Sequence, residues 1–271
     1  MKLWLIPLTL ALTLLGCSKS DDDSTTPPPP GDDVVAHVAN ITLINSARSD
    51  TNTGYSGSIN LGGSVVSDAA SQNLDGLITN VEFMGVTQAN VNWNQLAANK
   101  DDPSRLNVSI VDSNGGDELA SLSDTLNNGE AKQVILLSHQ DFSLSAAIFE
   151  APNLDELDQP LQSDQFAISV VHAYGPGENL VVDAYFVHGI RSKIGDQLTF
   201  GNRGYLTRVT ADPGNDAIIV TDHSLAPDFA NPENNLANFD AQNLMPGKHY
   251  QIIVTENESG DGAHLTTISH D

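Results

Sequence analysis

The chain has 271 residues, and its 35 Asp and Glu against 11 Lys and Arg give a formal net charge of −24. A surface this acidic repels phosphate backbones and argues against nucleic acid as a partner. The single cysteine excludes both an intrachain disulfide framework and a zinc site built from several cysteines.

The N-terminus has the pattern of an export signal. Met1-Lys2 is a short basic start, and Leu3–Leu15 is an apolar run too short to span a bilayer as a stable helix. The run ends in Gly16-Cys17, which resembles the lipobox of bacterial lipoproteins. We therefore expect residues 1–16 to be a lipoprotein signal peptide and Cys17 to carry lipid. By the same resemblance, Ser18 in place of aspartate favours the outer membrane, on its periplasmic side or at the cell surface.

Residues 17–33 are predicted to be the lipidated cysteine followed by a disordered tether. Its sequence after Cys17, SKSDDDSTTPPPPGDD, has no apolar residue apart from proline, so it has nothing to bury in a core. The four consecutive prolines favour an extended polyproline II conformation. The anchor and tether together would hold a folded unit close to a membrane.

From residue 34 the sequence predicts an all-β protein. Short β-branched or alternating runs recur between clusters of Gly, Asn, Asp and Pro, as in Leu106–Val111, Val134–Leu137 and Phe166–Val171. No stretch keeps a helical apolar period, and only Asn153–Leu161 is expected to form a helical turn or a linker. In Val182–Phe186, alternation places Val182, Ala184 and Phe186 on one face of a strand.

An internal repeat predicts two tandem immunoglobulin-like antiparallel β-sandwiches. Ile41–Ser46 matches Ile168–Ala173 at an offset of 127 residues, and Gln133–Leu136 matches Gln251–Val254 at an offset of 118. Asn128-Gly129 and Pro246-Gly247 occupy the same turn position, and Asn-Gly is typical of a hairpin. The expected division is residues 34–153 for the first sandwich, 154–163 for a linker and 164–271 for the second sandwich.

The second copy resembles the bacterial family catalogued as domain of unknown function 4397. The residues that carry the resemblance are Ile168–Ala173, Leu180–Tyr185, Leu198–Gly201 with Gly204-Tyr205, and Leu244–Val254. The first copy keeps the frame but lacks the histidine and the Phe-Gly pair. The resemblance implies an exported, often lipid-anchored protein with immunoglobulin-like sandwiches, and it implies no activity.

A search for chemistry in the sequence finds one tempting pair, His172 and Asp183. They lie on consecutive predicted strands, where a histidine beside a carboxylate can act as a base or a metal ligand. The matching residues in the first copy are Asn45 and Asn60, which form hydrogen bonds but do not ionise. The repeat therefore favours a structural polar pair. His249, His264 and His270 are expected to be solvated surface residues, and no sequence motif for a catalytic or metal site is found.

Two acidic loops, Asp212–Asp216 and Asp228–Asn235, offer oxygen ligands and leave bound Ca²⁺ possible, although turns select these residue types for backbone reasons. Aromatic residues make up only 6%, which argues against an exposed platform for sugars. The predicted contact regions are the long segments Ser67–Asn80, Asn90–Arg105 and Leu225–Asn238, because loops at the ends of sandwiches tolerate insertions.

The sequence favours a membrane-anchored, non-enzymatic binding module of the bacterial envelope, with no cofactor. Its partner would be an envelope or extracellular protein or a glycan. Two alternatives stay open: a calcium-stabilised adhesive or structural surface protein, and an envelope hydrolase with an unrecognised site. A carboxylate cage in the loops would favour the first of these, and a pocket of convergent ionisable groups would favour the second.

Overall fold

The computed structural model describes residues 33–50, 53–54, 58–211, 216–241, 243–256 and 263–270. The predicted signal peptide, Cys17 and all of the tether except Asp33 lie outside these residues. Val34–Asp271 forms one compact unit. Within the described part of the chain, every helical segment is too short to cross a membrane.

Strands dominate the described residues, and the helical segments are single 3₁₀ turns at Ala97–Asn99, Leu154–Glu156, Gly175–Gly177 and Pro232–Asn234. The strands are β1 Val34–Asn45, β2 Arg48–Asp50, β3 Thr53–Gly54, β4 Ile59–Val66, β5 Ser71–Asn73, β6 Ile78–Val81, β7 Val86–Leu96, β8 Ser104–Asp112, β9 Glu118–Leu126, β10 Ala131–Ser138, β11 Leu144–Glu150, β12 Gln165–His172, β13 Val182–His188, β14 Ile190–Leu198, β15 Thr207–Thr210, β16 Ala217–Asp222, β17 Ala237–Asp240, β18 His249–Glu256 and β19 Ala263–His270.

The strands form four main sheets, and the expected all-β, sandwich-type fold is confirmed. Sheet I has the order β7-β1-β10-β11, and sheet II has the order β5-β4-β8-β9 with β6 also paired to β4. Sheet III has the order β15-β12-β18-β19, and sheet IV has the order β14-β13-β16-β17. Pairing is antiparallel except for one parallel pair in sheet I, β1 with β10, and one in sheet III, β12 with β18. Sheets III and IV thus repeat the connectivity of sheets I and II.

Each pair of sheets encloses its own apolar core. Ile41, Leu61 and Ile110 belong to the core between sheets I and II. Val182, Ala184 and Phe186 lie in the core between sheets III and IV, which confirms the face predicted from their alternation. Burial of these apolar faces is the main contribution to the stability of each sandwich.

A third cluster joins sheets I and III face to face, which the sequence reading did not predict. Its buried members are Ile44, Ile135, Leu137, Val171, Ala173 and Ile253. The strands that carry them are buried on both faces: Leu43 of β1 belongs to the first core, whereas the next residue, Ile44, belongs to the cluster between the sheets. Both faces of the central strands are therefore withdrawn from water, which explains their unbroken apolar runs.

Two hydrogen bonds between polar residues cross this interface. The Gln251 side-chain amide donates to Gln133 Oε1 at 2.7 Å, and the Thr255 hydroxyl donates to the Ser46 carbonyl at 3.2 Å. Gln133 and Gln251 are equivalent residues of the repeat, so the contact lies where the two halves meet symmetrically. At one end of the interface, Arg48 Nε lies 3.5 Å from Glu256 Oε2, and both side chains are buried.

The turns before β10 and β18 are built alike in the two halves. Gly129 and Gly247 have φ of 78° and 80°, and their N–H groups donate to the carbonyls of Val38 and Gln165, each at 2.7 Å. The predicted hairpin at Asn128-Gly129 is wrong, because β9 and β10 belong to different sheets. The dipeptide supplies the positive φ of a tight turn, and that turn carries the chain from sheet II to sheet I.

The predicted helical turn is present as Leu154–Glu156, where Asn153 and Glu156 form a capping box. Arg203 donates to the Glu150 carbonyl, and Arg208 donates to the Gln159 carbonyl at 3.3 Å. The side chains of Arg203 and Arg208 therefore contact the backbone at the start of the segment that connects β11 to β12 and within it. The division of the chain at residues 154–163 stays a prediction.

Replacing Arg48 with Met tests the interface. The variant leaves the Glu256 carboxylate buried without its cation, and we expect a loss of about 3–5 kcal/mol in the free energy of unfolding at pH 7. Burial raises the pKa of Glu256, and Arg48 opposes that shift. The folded variant therefore binds a proton at higher pH than the unfolded chain, so its deficit should shrink as the pH falls from 7 towards 5.

Lys100→Met is the matched control, since Lys100 and Asp101 form an exposed ion pair. It should change stability by less than about 0.5 kcal/mol. Urea unfolding of both variants at several pH values gives the comparison. Equal effects of the two substitutions, or a deficit of Arg48→Met that grows in acid, would contradict this account of the interface.

Candidate functional site

His172 lies at the end of β12 and is fully buried. Its Nδ1 accepts a hydrogen bond from the Tyr174 backbone N–H at 3.4 Å. The equivalent residue of the first half, Asn45, accepts from the Ala47 backbone N–H through Oδ1 at 3.2 Å. Ala47 and Tyr174 are themselves equivalent, so histidine and asparagine support the same two-residue turn after the strand.

Burial lowers the pKa of His172, and hydrogen bonding with the backbone of Leu180 and Gly177 opposes this without cancelling it. Its imidazole is therefore neutral at pH 7. Because Nδ1 is an acceptor, the ring carries its proton on Nε2. A neutral, buried imidazole whose Nδ1 is used by the backbone suits a structural role.

The structure does not bring His172 and Asp183 together as a cross-strand pair. Strand β12 pairs with β15 and β18 in sheet III, whereas β13, which carries Asp183, pairs with β14 and β16 in sheet IV. Consecutive strands here belong to opposite sheets of a sandwich, so adjacency along the chain did not produce adjacency in space. The polar pair expected from the sequence is corrected in this respect.

Asp183 instead forms the centre of a different cluster on sheet IV. Its Oδ1 accepts from the Gln197 backbone N–H at 2.9 Å, while its Oδ2 lies 2.9 Å from Lys193 Nζ and 3.0 Å from His223 Nδ1. Burial alone would raise the pKa of Asp183, but these three partners outweigh it and hold the pKa below its usual range. The carboxylate is therefore ionised at neutral pH.

Part of this arrangement also recurs in the first half. Asn60, the equivalent of Asp183, accepts from the Asn80 backbone N–H through Oδ1 at 3.2 Å. Both donors have positive φ, 57° at Asn80 and 50° at Gln197. A side-chain oxygen at this position thus stabilises a strained backbone turn in each half. Only the second half, with Asp183, has a charged residue there.

Asp183, Asp196 and His223 are the described residues that come nearest to a metal site, with one ligand atom of each within 4.8 Å of the others. Lys193 already contributes a cation there, because its ammonium contacts the carboxylates of both Asp183 and Asp196. Its pKa is raised by these contacts, against the effect of burial. The two carboxylates and the ammonium therefore form a set of ion pairs within the fold.

The predicted calcium loop Asp228–Asn235 is organised by hydrogen-bond donors. The Asp228 carboxylate accepts from the Asn231 backbone N–H and the Asn234 side-chain amide, each at 2.9 Å, and from the Ala230 N–H at 3.1 Å. These donors lower the pKa of Asp228 to about 2. The loop folds over sheet IV, where the Phe229 ring packs edge-on against Tyr185 with 5.5 Å between centroids.

The other predicted loop, Asp212–Asp216, lies outside the described residues except for Asp216, which bonds His188 Nδ1 at 2.8 Å. The expectation that His249 is solvated is wrong: it is buried in β18, opposite Ala167 of β12. For His264 and His270 the structure gives only the strand backbone of β19, and their side chains lie outside the described residues.

The contact regions predicted as loops contain more strand than expected. Asn90–Arg105 includes half of β7, in which Val91, Trp93 and Gln95 are buried, and Ser67–Asn80 includes β5 and part of β6. Two clefts lie near these segments and the linker. One of about 770 Å³ is lined by the turn 127–131, the segment 150–156 and His249. The other, of about 230 Å³, is lined by His37 and Trp93 between the two predicted regions.

Sequence reasoning missed His37 and Trp93. The two residues are directly opposite on β1 and β7, and their rings stack with 5.4 Å between centroids. The available signal was Trp93 itself, the only tryptophan after the predicted signal peptide. In the sequence analysis, a single tryptophan counted only as low aromatic content, which argues against a platform for sugars, and Trp93 fell within the segment Asn90–Arg105 predicted as a loop.

Comparisons with known proteins give little beyond this geometry. No family model matches the chain, and no curated protein matches it. Among solved structures, the Bacillus anthracis TIE protein aligns with 81% of this chain at 9% identity and a TM-score of 0.21. The chain spans about a third of that protein, with 34% covered. A putative adhesin from Bacteroides ovatus aligns with 86% of this chain and 92% of its own, at 9% identity and a TM-score of 0.19. Neither likeness carries a functional argument.

The Asp183 cluster gives a prediction with a defined pH dependence. Asp183→Asn keeps an oxygen for the Gln197 N–H, as Asn60 does, but loses the negative charge that contacts Lys193, and we expect a cost of about 1–2 kcal/mol at pH 7. Because the folded pKa is depressed, the stabilisation is complete above the ordinary pKa and is lost as the pH falls through the folded value. The stabilities of variant and parent should therefore converge in acid.

Asp183→Ala removes the oxygen as well and should cost more than Asp183→Asn at every pH. Asn60→Ala is the matched control in the first half, where only the backbone hydrogen bond is lost. Its effect should be independent of pH over the same interval. Thermal or urea unfolding measures all three. If Asp183→Asn were as damaging at pH 3 as at pH 7, charge pairing would not be its contribution.

Proposed function

We propose that this chain is a non-enzymatic binding module of the bacterial cell envelope, held at the membrane by lipid on Cys17. The observation that carries the proposal is the use of the same hydrogen bonds in both halves. His172 and Asp183, the best chemical candidates, perform backbone roles that Asn45 and Asn60 perform without ionising. An asparagine side chain can form the same backbone hydrogen bonds, so these bonds do not require a group that gains and loses protons, as acid–base chemistry does.

The remaining ionisable groups of sheet IV are consistent with this proposal. His188 pairs with Asp216, and His223 pairs with Asp183, which also binds Lys193. Each of these side chains thus has a partner within the fold. A nucleophile would need a base within hydrogen-bond reach and a second group to orient that base. The hydrolase alternative therefore has less support than binding.

The calcium alternative is also less well supported at Asp228. A calcium site gathers six to eight oxygen ligands. Around Asp228 the neighbouring backbone and side-chain amides present hydrogen atoms to the carboxylate instead. The loop is stable as an internal hydrogen-bonded turn, so a cation is not required to hold its shape.

The proposed anchor predicts the behaviour of Cys17→Ser. Two or more acyl chains give stable membrane attachment, since each buried CH₂ contributes about 0.8 kcal/mol. The variant, expressed in a Gram-negative host, should keep its signal peptide and fail to incorporate radiolabelled palmitate. Mass spectrometry of the parent should find a diacylglycerol-modified Cys17. Cleavage of the variant together with a lipid-free parent would overturn the anchor.

Binding without turnover predicts the outcome of a paired substitution. Fluorescently labelled chain without residues 1–17, which lacks both the apolar signal peptide and the lipid site, should bind saturably to envelope fragments of the producing bacterium. Adding His172→Asn and Asp183→Asn should leave this binding within about twofold, since both asparagines occur at the equivalent positions. Replacing the segment 225–238 with a short Gly-Ser turn tests whether that loop contributes to the contact.

The melting temperature of each variant provides the folding control. If His172→Asn with Asp183→Asn abolishes binding in a folded protein, the structural assignment of these residues fails. If envelope fragments show no saturable binding by the parent chain, the proposed binding function fails. Consumption of an envelope component by the parent but not by the paired variant would favour an enzyme instead.

A further inference from the structure

The cleft between β5 and β7 contains an unusual pair of aromatic rings. His37 and Trp93 stack with an interplanar angle of 25°, and Trp93 Nε1 donates to the Ser104 hydroxyl at 2.8 Å. Ser104 in turn donates to Gln95 Oε1 at 3.1 Å. This chain of hydrogen bonds fixes the indole, so one wall of the cleft is rigid before any ligand arrives.

His37 has an unmet hydrogen-bonding capacity. Its side chain is 95% buried, and neither ring nitrogen has a partner among the described residues. Leaving a buried polar group unsatisfied costs about 1–3 kcal/mol per group, so such groups in native proteins call for an explanation. A polar ligand in the adjoining cleft would supply the missing partner.

The second half of the chain shows that the fold itself does not need this pair. The offset that relates β1 to β12 places Asp164 at the position of His37. Strand pairing places Ala211 at the position of Trp93, with the Ala211 N–H donating to the Asp164 carbonyl at 2.8 Å. The same connection therefore forms with a small residue and no aromatic stack. His37 and Trp93 add a feature that the fold can omit.

The lining of the cleft indicates the chemistry of the ligand. In a chain with a net charge of −24, the lining has no Asp, Glu, Lys or Arg side chain, and Gln72, Asn92 and Asn94 contribute amide-bearing residues beside the two rings. A hydroxyl group can both donate and accept a hydrogen bond, so it can partner either ring nitrogen of an imidazole. A volume of about 230 Å³ is below the usual range for drug-sized ligands, which suits a single small ring.

We propose that this cleft binds one neutral sugar residue, with His37 and Gln72 as hydrogen-bonding residues. This proposal rests on the proposed binding function and names its ligand. The low aromatic content argues against an exposed surface on which sugars stack. The present site differs from such a surface because it is a recessed cleft with one wall formed by the Trp93 indole. A free sugar and the end of a glycan share this chemistry, and the test separates the two.

Access to the His37 nitrogens requires a small movement, because both are covered. Strand β5 is the element to move: it is three exposed residues long, lies at the edge of sheet II and pairs only with β4. The turn before it is held to β7, since Asp68 accepts from the Leu96 N–H at 2.9 Å and from the Asn99 amide at 2.6 Å. The inferred binding step is a shift of β5 about this fixed turn.

The test uses the full chain, ¹⁵N-labelled and purified in a detergent without a sugar headgroup. The indole N–H signal of Trp93, the only tryptophan after the predicted signal peptide, is followed during titration with glucose, galactose, N-acetylglucosamine and, as a charged control, glucuronate. At least one neutral sugar should shift this signal saturably. A short oligosaccharide of the same sugar should bind more tightly if the natural ligand is a glycan end, and equally if it is the free sugar.

Two variants test the residues. His37→Phe keeps the stack on Trp93 but removes both nitrogens, and Gln72→Ala removes an exposed amide that donates to the neighbouring Asn73 carbonyl at 3.2 Å. Each should weaken binding about tenfold or more, a loss of roughly 1.4 kcal/mol. Gln88→Ala, exposed on the same strand β7, is the control and should bind as the parent does.

The site is overturned if no neutral sugar shifts the Trp93 signal, if glucuronate binds equally well, or if His37→Phe and Gln72→Ala both bind like the parent. Should His37→Phe fail to fold, Gln72→Ala decides alone. A chain that binds envelope fragments saturably but no sugar would refute this site and leave the proposed binding function standing. A chain that binds neither would refute both.

Discussion

The burial of both faces of β1, β10, β12 and β18 is the constraint on which the rest of the structure depends. Each strand contributes alternate residues to its own sandwich core and the intervening residues to the contact between sheets I and III. Polar groups in that contact must therefore find partners inside it. The Gln133–Gln251 hydrogen bond and the Arg48–Glu256 ion pair meet this requirement.

The two ends of this interface have diverged in opposite directions. In the repeat, Gly175 occupies the position equivalent to Arg48, and Ser138 occupies the position equivalent to Glu256. At the first end an ion pair fills the space, whereas at the other a side chain on Gly175 would place its Cβ 2.4 Å from the Ser138 carbonyl oxygen. Two copies of the first half would place Arg48 against Ser138, and two copies of the second half would place Glu256 against Gly175. In both cases a buried charge would lack a partner that neutralises it. The divergence thus matches each half to the other.

The sequence was informative where one physical pattern dominates, as in the alternation of Val182–Phe186 and the positive φ of Gly247. It misled where a strand is polar: β7 reads as a loop because Asn and Gln occupy its exposed positions. The interface was signalled by the unbroken apolar run Val134–Leu137, but such a run does not say which surface covers its second face. His172 and Asp183 were separated because consecutive strands switch sheets, and the His37–Trp93 contact joins residues far apart in sequence.

The central claim is that His172 and Asp183 maintain backbone structure and that binding belongs to the clefts and loops of the fold. The most direct measurement is an NMR titration of the His172 imidazole between pH 4 and pH 9. Since burial lowers its pKa and Nδ1 accepts from the Tyr174 N–H, the account predicts a neutral Nε2–H tautomer at pH 7 and protonation only below the ordinary value of 6.5. A His172 that titrates above that value, or that carries its proton on Nδ1, would contradict the account and return this residue to the chemical candidates.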